Sequence, residues 1–227
     1  MTQTLGRKIT AEFVGSGFLV AAVIGSGIMG ERLAGGNVAI ALLANTIATG
    51  AALAALILTF GPVSGAHLNP AVTMAAAIER DVSWVESGYY VAAQCAGAIC
   101  GAMAAQVMFS LPVIQLSHHA RSGGAQVFSE FVATFGLLCV IWGCTRRRSD
   151  AVPFAVAGYI TAAYWFTSST SFANPAVTIA RSLSDTFAGI RPADVPLFLV
   201  AQLAGALAAT IFFRLLAPAG PAPAKPA

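Results

Sequence analysis

SGAHLNPAVTMAAAI (64–78) and STSFANPAVTIARSL (169–183) decide how this chain folds. Each has a polar, small-residue start, then Asn-Pro, then an apolar helical run of about ten residues, half a membrane thickness. Asn is a good helix N-cap and Pro suits the first helical position, so each motif starts a short helix cleanly. A short Asn-Pro-initiated helix recurring in both halves is the pattern of re-entrant half-helices in an inverted repeat.

The surrounding chain supplies the membrane. Of its 227 residues 57% are apolar and only 9% are charged, against about 45–50% and 25% in soluble domains. Mean hydropathy is +0.78. Six long apolar segments, about 9–29, 36–60, 83–109, 127–145, 151–169 and 194–216, are each near or above the length of a membrane span. This composition excludes a soluble enzyme, a secreted disulfide scaffold, a disordered protein or a nucleic-acid binder as a reading of the whole chain. The net charge of +3 is too modest and scattered for a nucleic-acid footprint. Arg7 and Lys8 precede an apolar run that is too long for a signal peptide and contains Glu12, so it reads as a retained first span. Cys95, Cys100, Cys139 and Cys144 lie inside apolar runs without metal-ligand spacing and read as small buried apolar thiols.

The halves are related. AEFVGSGF (11–18) aligns with SEFVATFG (129–136), pairing Glu12 with Glu130 at an offset of 118. HLNPAVT (67–73) aligns with FANPAVT (172–178), pairing Asn69 with Asn174 at 105. AQCAGA (93–98) aligns with AQLAGA (201–206), pairing Gln94 with Gln202 at 108. The fold expected is an all-α membrane protein of six transmembrane helices plus two re-entrant half-helices. It forms one domain over 1–216, with repeats about 8–109 and 126–216 and a Pro/Ala-rich mobile tail at 217–227. Three spans per half make the copies run in opposite senses. Placing both termini in the cytoplasm puts eight basic residues inside and four outside, as positive-inside orientation requires. Trp84, Trp142 and Trp165 lie near predicted span ends, where an aromatic belt would sit.

Inverted half-helices meet with their N-termini near the midplane, and both positive macrodipole ends then repel cations. If the cap uses the carboxamide oxygen, each NH2 remains free to donate to a passing oxygen, which interrupts a proton-conducting water wire. The loops leading into the motifs expose backbone carbonyls, tolerated at this depth only where they line a cavity.

With these motifs in place, the chain resembles the aquaporin/aquaglyceroporin (major intrinsic protein) family from about residue 8 to 216, SGAHLNPAVT being a very specific mark. The resemblance implies a pore in each protomer of a homotetramer, in the lipid bilayer of a bacterial inner (plasma) membrane. Its partners are small neutral solutes, with no catalytic residue, metal or cofactor. Asn69, Pro70, Ala71, Asn174, Pro175 and Ala176 would form the pore motifs, and Glu12 and Glu130 would be buried carboxylates accepting hydrogen bonds from the re-entrant loops. Gln94 and Gln202 would support loops and helix contacts, while His67 could line the lumen or brace its loop.

The second motif departs from the family, whose water and glycerol channels mostly read NPAR: here Val177 stands at the arginine position. Family spacing assigns Thr49, Ala162 and Ser171 to the rest of the selectivity filter, with Phe172 the one bulky neighbour. Such a filter should be wide and weakly polar, passing glycerol, urea and undissociated metalloid hydroxides with water. The NPAV motif and the following TIARSLSDTFAGI resemble bacterial aquaglyceroporins associated with arsenic resistance, which implies arsenite and related arsenicals. Arg181, one turn beyond Val177, reads as a snorkelling interfacial residue in preference to a substitute for the missing charge. His118 and His119 read as parts of an exposed polar loop in preference to pH sensors. The competing classes are a coupled secondary transporter and a poorly conducting structural member of the same fold.

Overall fold

The computed structural model describes residues 3–216, so the tail assigned to 217–227 lies outside the described residues. Eight α-helices account for the described chain: α1 (Leu5–Leu33), α2 (Val38–Ser64), α3 (Pro70–Glu79), α4 (Trp84–Met108), α5 (Gly124–Thr145), α6 (Val152–Phe166), α7 (Pro175–Arg181) and α8 (Val195–Leu216). There are no strands among them. The first three long helices and the last three form the two halves, each interrupted by one half-helix, α3 or α7.

Of the six expected spans, five form helices long and apolar enough to cross a membrane. The exception is α6, predicted from the 151–169 segment but only 15 residues long, or roughly 22 Å. A short 3-10 turn at Ser149–Ala151 replaces its beginning. At the other end Thr167 is extended, and Thr170, Ser171 and Ala173 take left-handed backbone conformations that no helix can continue through.

Glycine fixes how closely the spans approach. In α4, a Cβ on Gly97 or Gly101 would collide with the backbone carbonyls of Phe13 and Gly17 in α1. In the second half, a Cβ on Gly205 of α8 would collide with the Phe131 carbonyl of α5. Helix pairs without side chains between them gain van der Waals contact that lipid cannot match.

The half-helices cross over. Ala176, Val177 and Ala180 of α7 sit in the apolar core built by α1 and α4. Ala71, Val72 and Ala75 of α3 sit in the core of α5, α6 and α8. Large apolar side chains such as Phe18, Val85, Phe128 and Leu215 cover the lateral surface, which suits contact with lipid.

Two composition-based expectations are corrected. Trp142 is not in a surface belt: it is buried, its indole N–H donates to Thr210 Oγ1, and it lines the central cavity. The thiols are not all buried: Cys100 is exposed on the flank of α4, and the other three are partly exposed.

Candidate functional site: a lumen between two asparagine caps

Both half-helices begin as the sequence dictates. Asn69 Oδ1 accepts from Ala71 N–H at 2.9 Å, and Asn174 Oδ1 accepts from Ala176 N–H at 3.0 Å and Val177 N–H at 3.3 Å. The amide NH2 groups are not wholly free, however. Asn69 Nδ2 donates to the Ala173 carbonyl at 2.8 Å, and Asn174 Nδ2 donates to the Leu68 carbonyl at 2.8 Å. Each cap thereby fixes the opposite loop and keeps one N–H for the lumen.

A buried carboxylate holds each loop. Glu12 accepts from Ser64 Oγ at 2.6 Å, His67 N–H at 3.0 Å, Leu68 N–H at 2.7 Å and Gln94 Nε2 at 2.7 Å. Glu130 accepts from Ser169 Oγ at 2.6 Å, Phe172 N–H at 2.9 Å, Ala173 N–H at 2.9 Å and Gln202 Nε2 at 2.6 Å. The same glutamines donate to Thr73 and Thr178, one turn into α3 and α7. Four donors on each acceptor explain how non-glycine residues hold strained backbone here: Ala66 and Leu68 in one loop, Ser171 and Ala173 in the other, all have φ near +50° (47° to 51°). Pro70 and Pro175 occupy the first helical position, and Ala71 and Ala176 are small enough to pack with no exposed surface to speak of.

Between the loops runs a cavity of ≈ 290 Å³, bounded at one end by Asp81 and Thr145 and at the other by Phe172 and Arg181. Asn69 and Asn174 both line it, with apolar walls from Leu19, Val23, Leu53, Ile57, Val156 and Ile160. His67 both lines it and braces the loop, through Nδ1 to Thr73 Oγ1 at 3.1 Å and an edge contact with Tyr90 at 5.4 Å. Asp81 lies outside the helices, and its carboxyl is pushed up by partial burial and then by the charge of Glu79.

At the Arg181 end the lumen is bounded by Thr49, Tyr164, Ser171, Phe172 and Val177. Ala162 is the exception among the expected positions: it is exposed on the outer flank of α6 and does not line the cavity. A count of twelve residues back from Asn174 lands on a face of α6 turned away from the lumen. The lumen-facing residue is Tyr164, whose hydroxyl meets Thr49 Oγ1 at 3.2 Å. Val152, Val156, Ile160 and Tyr164 all line the cavity at four-residue spacing, a helical stripe that was readable in advance.

Arg181 also corrects its sequence reading. Only 2% exposed, it does not snorkel; it lines the lumen with its guanidinium 3.3 Å from the centre of the Phe172 ring. Its Nε–H donates to the Ala188 carbonyl. A second arginine went unnoticed. Arg121, in the 109–123 connection, is buried with its guanidinium 4.9 Å from the same ring and donates to the Gly189, Ser169 and Phe187 carbonyls. Burial pushes its pKa down to about 10, opposed by the charge of Glu130. No signal in a polar loop marked it.

Two facing carboxamide-capped half-helices, each tied to the other's loop and lining one lumen, decide the comparison. The chain belongs to the major intrinsic protein family. That family matches residues 1–160. The chain is 52% identical over 218 residues to the aquaglyceroporin AqpS of Rhizobium meliloti (strain 1021), covering 96% of this chain and 93% of that one. It is 34% identical to the aquaporin NIP3-1 of Oryza sativa subsp. japonica over 70% of this chain and 52% of that one. Its fold matches the aquaglyceroporin from Plasmodium falciparum with a TM-score of 0.76 at 21% identity, covering 95% and 98% of the two chains. Major intrinsic proteins of the aquaglyceroporin type are passive membrane channels and not enzymes, and this chain is a multi-pass member.

Proposed function

We propose that the lumen conducts small uncharged solutes, namely glycerol, urea and metalloid hydroxides such as arsenous acid, together with water, down their gradients. The observation that carries this reading is one cavity lined by both asparagines and, towards Arg181, by Thr49, Tyr164, Ser171, Phe172 and Val177. An uncharged hydroxylated solute finds donors in the asparagine amides and slides along aliphatic walls without binding deeply. Among the described residues, Asp81 at the mouth is the only acidic side chain lining the cavity, and a coupled transporter would need an ion-coordinating group deeper in. Glu12, Glu130 and His67 support the loops, and no catalytic residue, cofactor or metal takes part. The protein works as a homotetramer in a bacterial inner membrane, and the excess of basic residues on one side supports placing both termini in the cytoplasm.

Val177→Arg tests the filter. The added side chain would cross the lumen at the end of the first turn of α7. In stopped-flow assays on liposomes, glycerol and arsenous acid flux should fall at least about tenfold, with water flux falling less. Undiminished glycerol flux in a correctly assembled Val177→Arg protein would place the constriction elsewhere.

A further inference from the structure

Val177 leaves the position expected to carry a positive charge empty of it, yet Arg181 lines the same end of the lumen and Arg121 lies buried against the same Phe172 ring. Arg181 is 2% exposed, stacks on Phe172 and donates through Nε to Ala188. Neither of its terminal nitrogens has an acceptor among the described residues, although the side chain lines the lumen. Arg121 approaches the same ring, and its guanidinium is tied down by backbone carbonyls on three sides. Among the described residues no carboxylate lies within ion-pairing distance of either guanidinium. The Ser171 hydroxyl beside them is also buried without a partner.

We propose that Arg181, fixed against Phe172, is the charge-selecting residue of this channel, moved one turn along α7 from the Val177 position. A helical turn is about 5.4 Å. That displacement separates two tasks that a filter arginine performs together. The bulk of the side chain leaves the narrowest section and lies flat on an aromatic face, so the aperture at Val177 stays wide. The charge remains in a low-dielectric wall, where it acts strongly on any ion entering the lumen. Its two free terminal nitrogens provide a donor fork for the oxygens of a neutral solute. Phe172 is the platform: a guanidinium over a ring face is held by cation–π attraction and cannot swing across the opening.

The inference rests on the channel reading above, and the ratio of ion leak to glycerol flux separates the two. Proteoliposomes of the full chain, loaded with a pH-sensitive dye under an imposed membrane potential, report proton leak; stopped-flow light scattering reports glycerol flux. Arg181→Gln should raise the leak-to-glycerol ratio at least about tenfold, whereas Arg181→Lys, which keeps the charge, should stay within about threefold of the parent. In the exchanged variant, Val177→Arg with Arg181→Val, the leak should return to the parent's level while glycerol flux drops. An Arg181→Gln protein that conducts glycerol but leaks no more protons than the parent overturns the proposal. If the neutral variants do not reach the membrane, Phe172→Leu carries the test: freeing the guanidinium should raise the ratio, and an unchanged ratio overturns the proposal. Absence of glycerol flux in the parent would instead refute the channel reading.

Discussion

Each half has one residue on which its loop depends, and the two make the same set of bonds. Glu12 and Glu130 each gather two backbone N–H groups, a serine hydroxyl and a glutamine amide. A glutamine at either place keeps one acceptor oxygen but turns an NH2 towards donors. Buried donors left without acceptors cost roughly 1–3 kcal/mol each. Glu12→Gln and Glu130→Gln should therefore each destabilise the protein by at least about 2 kcal/mol, read as a lowered thermal midpoint in detergent. An unchanged midpoint for either would contradict the network. The asparagine caps were legible in the sequence because a cap is local, needing only the residue and the two that follow. Arg181 was not, because its burial depends on a carbonyl seven residues on and on a ring whose orientation is set by the Glu130 network. Ala162 was misplaced for a related reason: a distance counted across a loop does not fix which face of the preceding helix meets the lumen.

At the scale of helices, contact between backbones is the controlling feature. Gly101 of α4 faces the Gly17 carbonyl of α1 with no room for a methyl group, whereas Gly88 in the same helix has open space around its Cα. Gly101→Val should cost more than about 2 kcal/mol through forced separation of α1 and α4. Gly88→Ala should be neutral or slightly stabilising, because alanine is the better helix former. Thermal midpoints of the two variants in the same detergent check the contrast; equal effects would show that the α1–α4 contact is not tight. Hydropathy made the long helices readable, since it reports composition over twenty residues. The shortness of α6 escaped it, because an average over twenty residues runs on across the polar Thr167, Ser168 and Ser169 after the helix has stopped at Phe166, where Thr167 turns extended.

Across the whole molecule, the connection joining the halves is itself a structural part. Residues 109–123 lie along the chain that follows α7: Gln115 N–H donates to the Leu183 carbonyl, Ser117 N–H to the Ser182 carbonyl, and Arg191 N–H to the His119 carbonyl. His118 adds its backbone N–H to Asp185 Oδ1 at 2.8 Å and its ring to Oδ2 at 3.1 Å. These bonds from His118 hold the Asp185 carboxyl below its usual range. A lowered carboxylate stabilises above its unfolded pKa and loses that contribution as pH falls through the lowered value, so what Asp185 contributes is lost in acid. The pair is exposed, which limits it to under about 1 kcal/mol. Asp185→Asn should thus shift the thermal midpoint slightly at neutral pH, and the difference from the parent should vanish in strong acid. A large shift at neutral pH would mean that the backbone bonds alone do not hold the connection. Delivery of Arg121 by this segment was beyond reach of a sequence argument, since the order of contacts between two polar loops follows from how the spans bring them together.

The exchange of half-helices between cores, together with the reciprocal bonds from Asn69 to Ala173 and from Asn174 to Leu68, bears on how such a molecule could have arisen. An ancestor of half this length would have had no one to satisfy its own amide or bury its own short helix. Each half is completed only by a copy lying in the opposite sense in the same membrane.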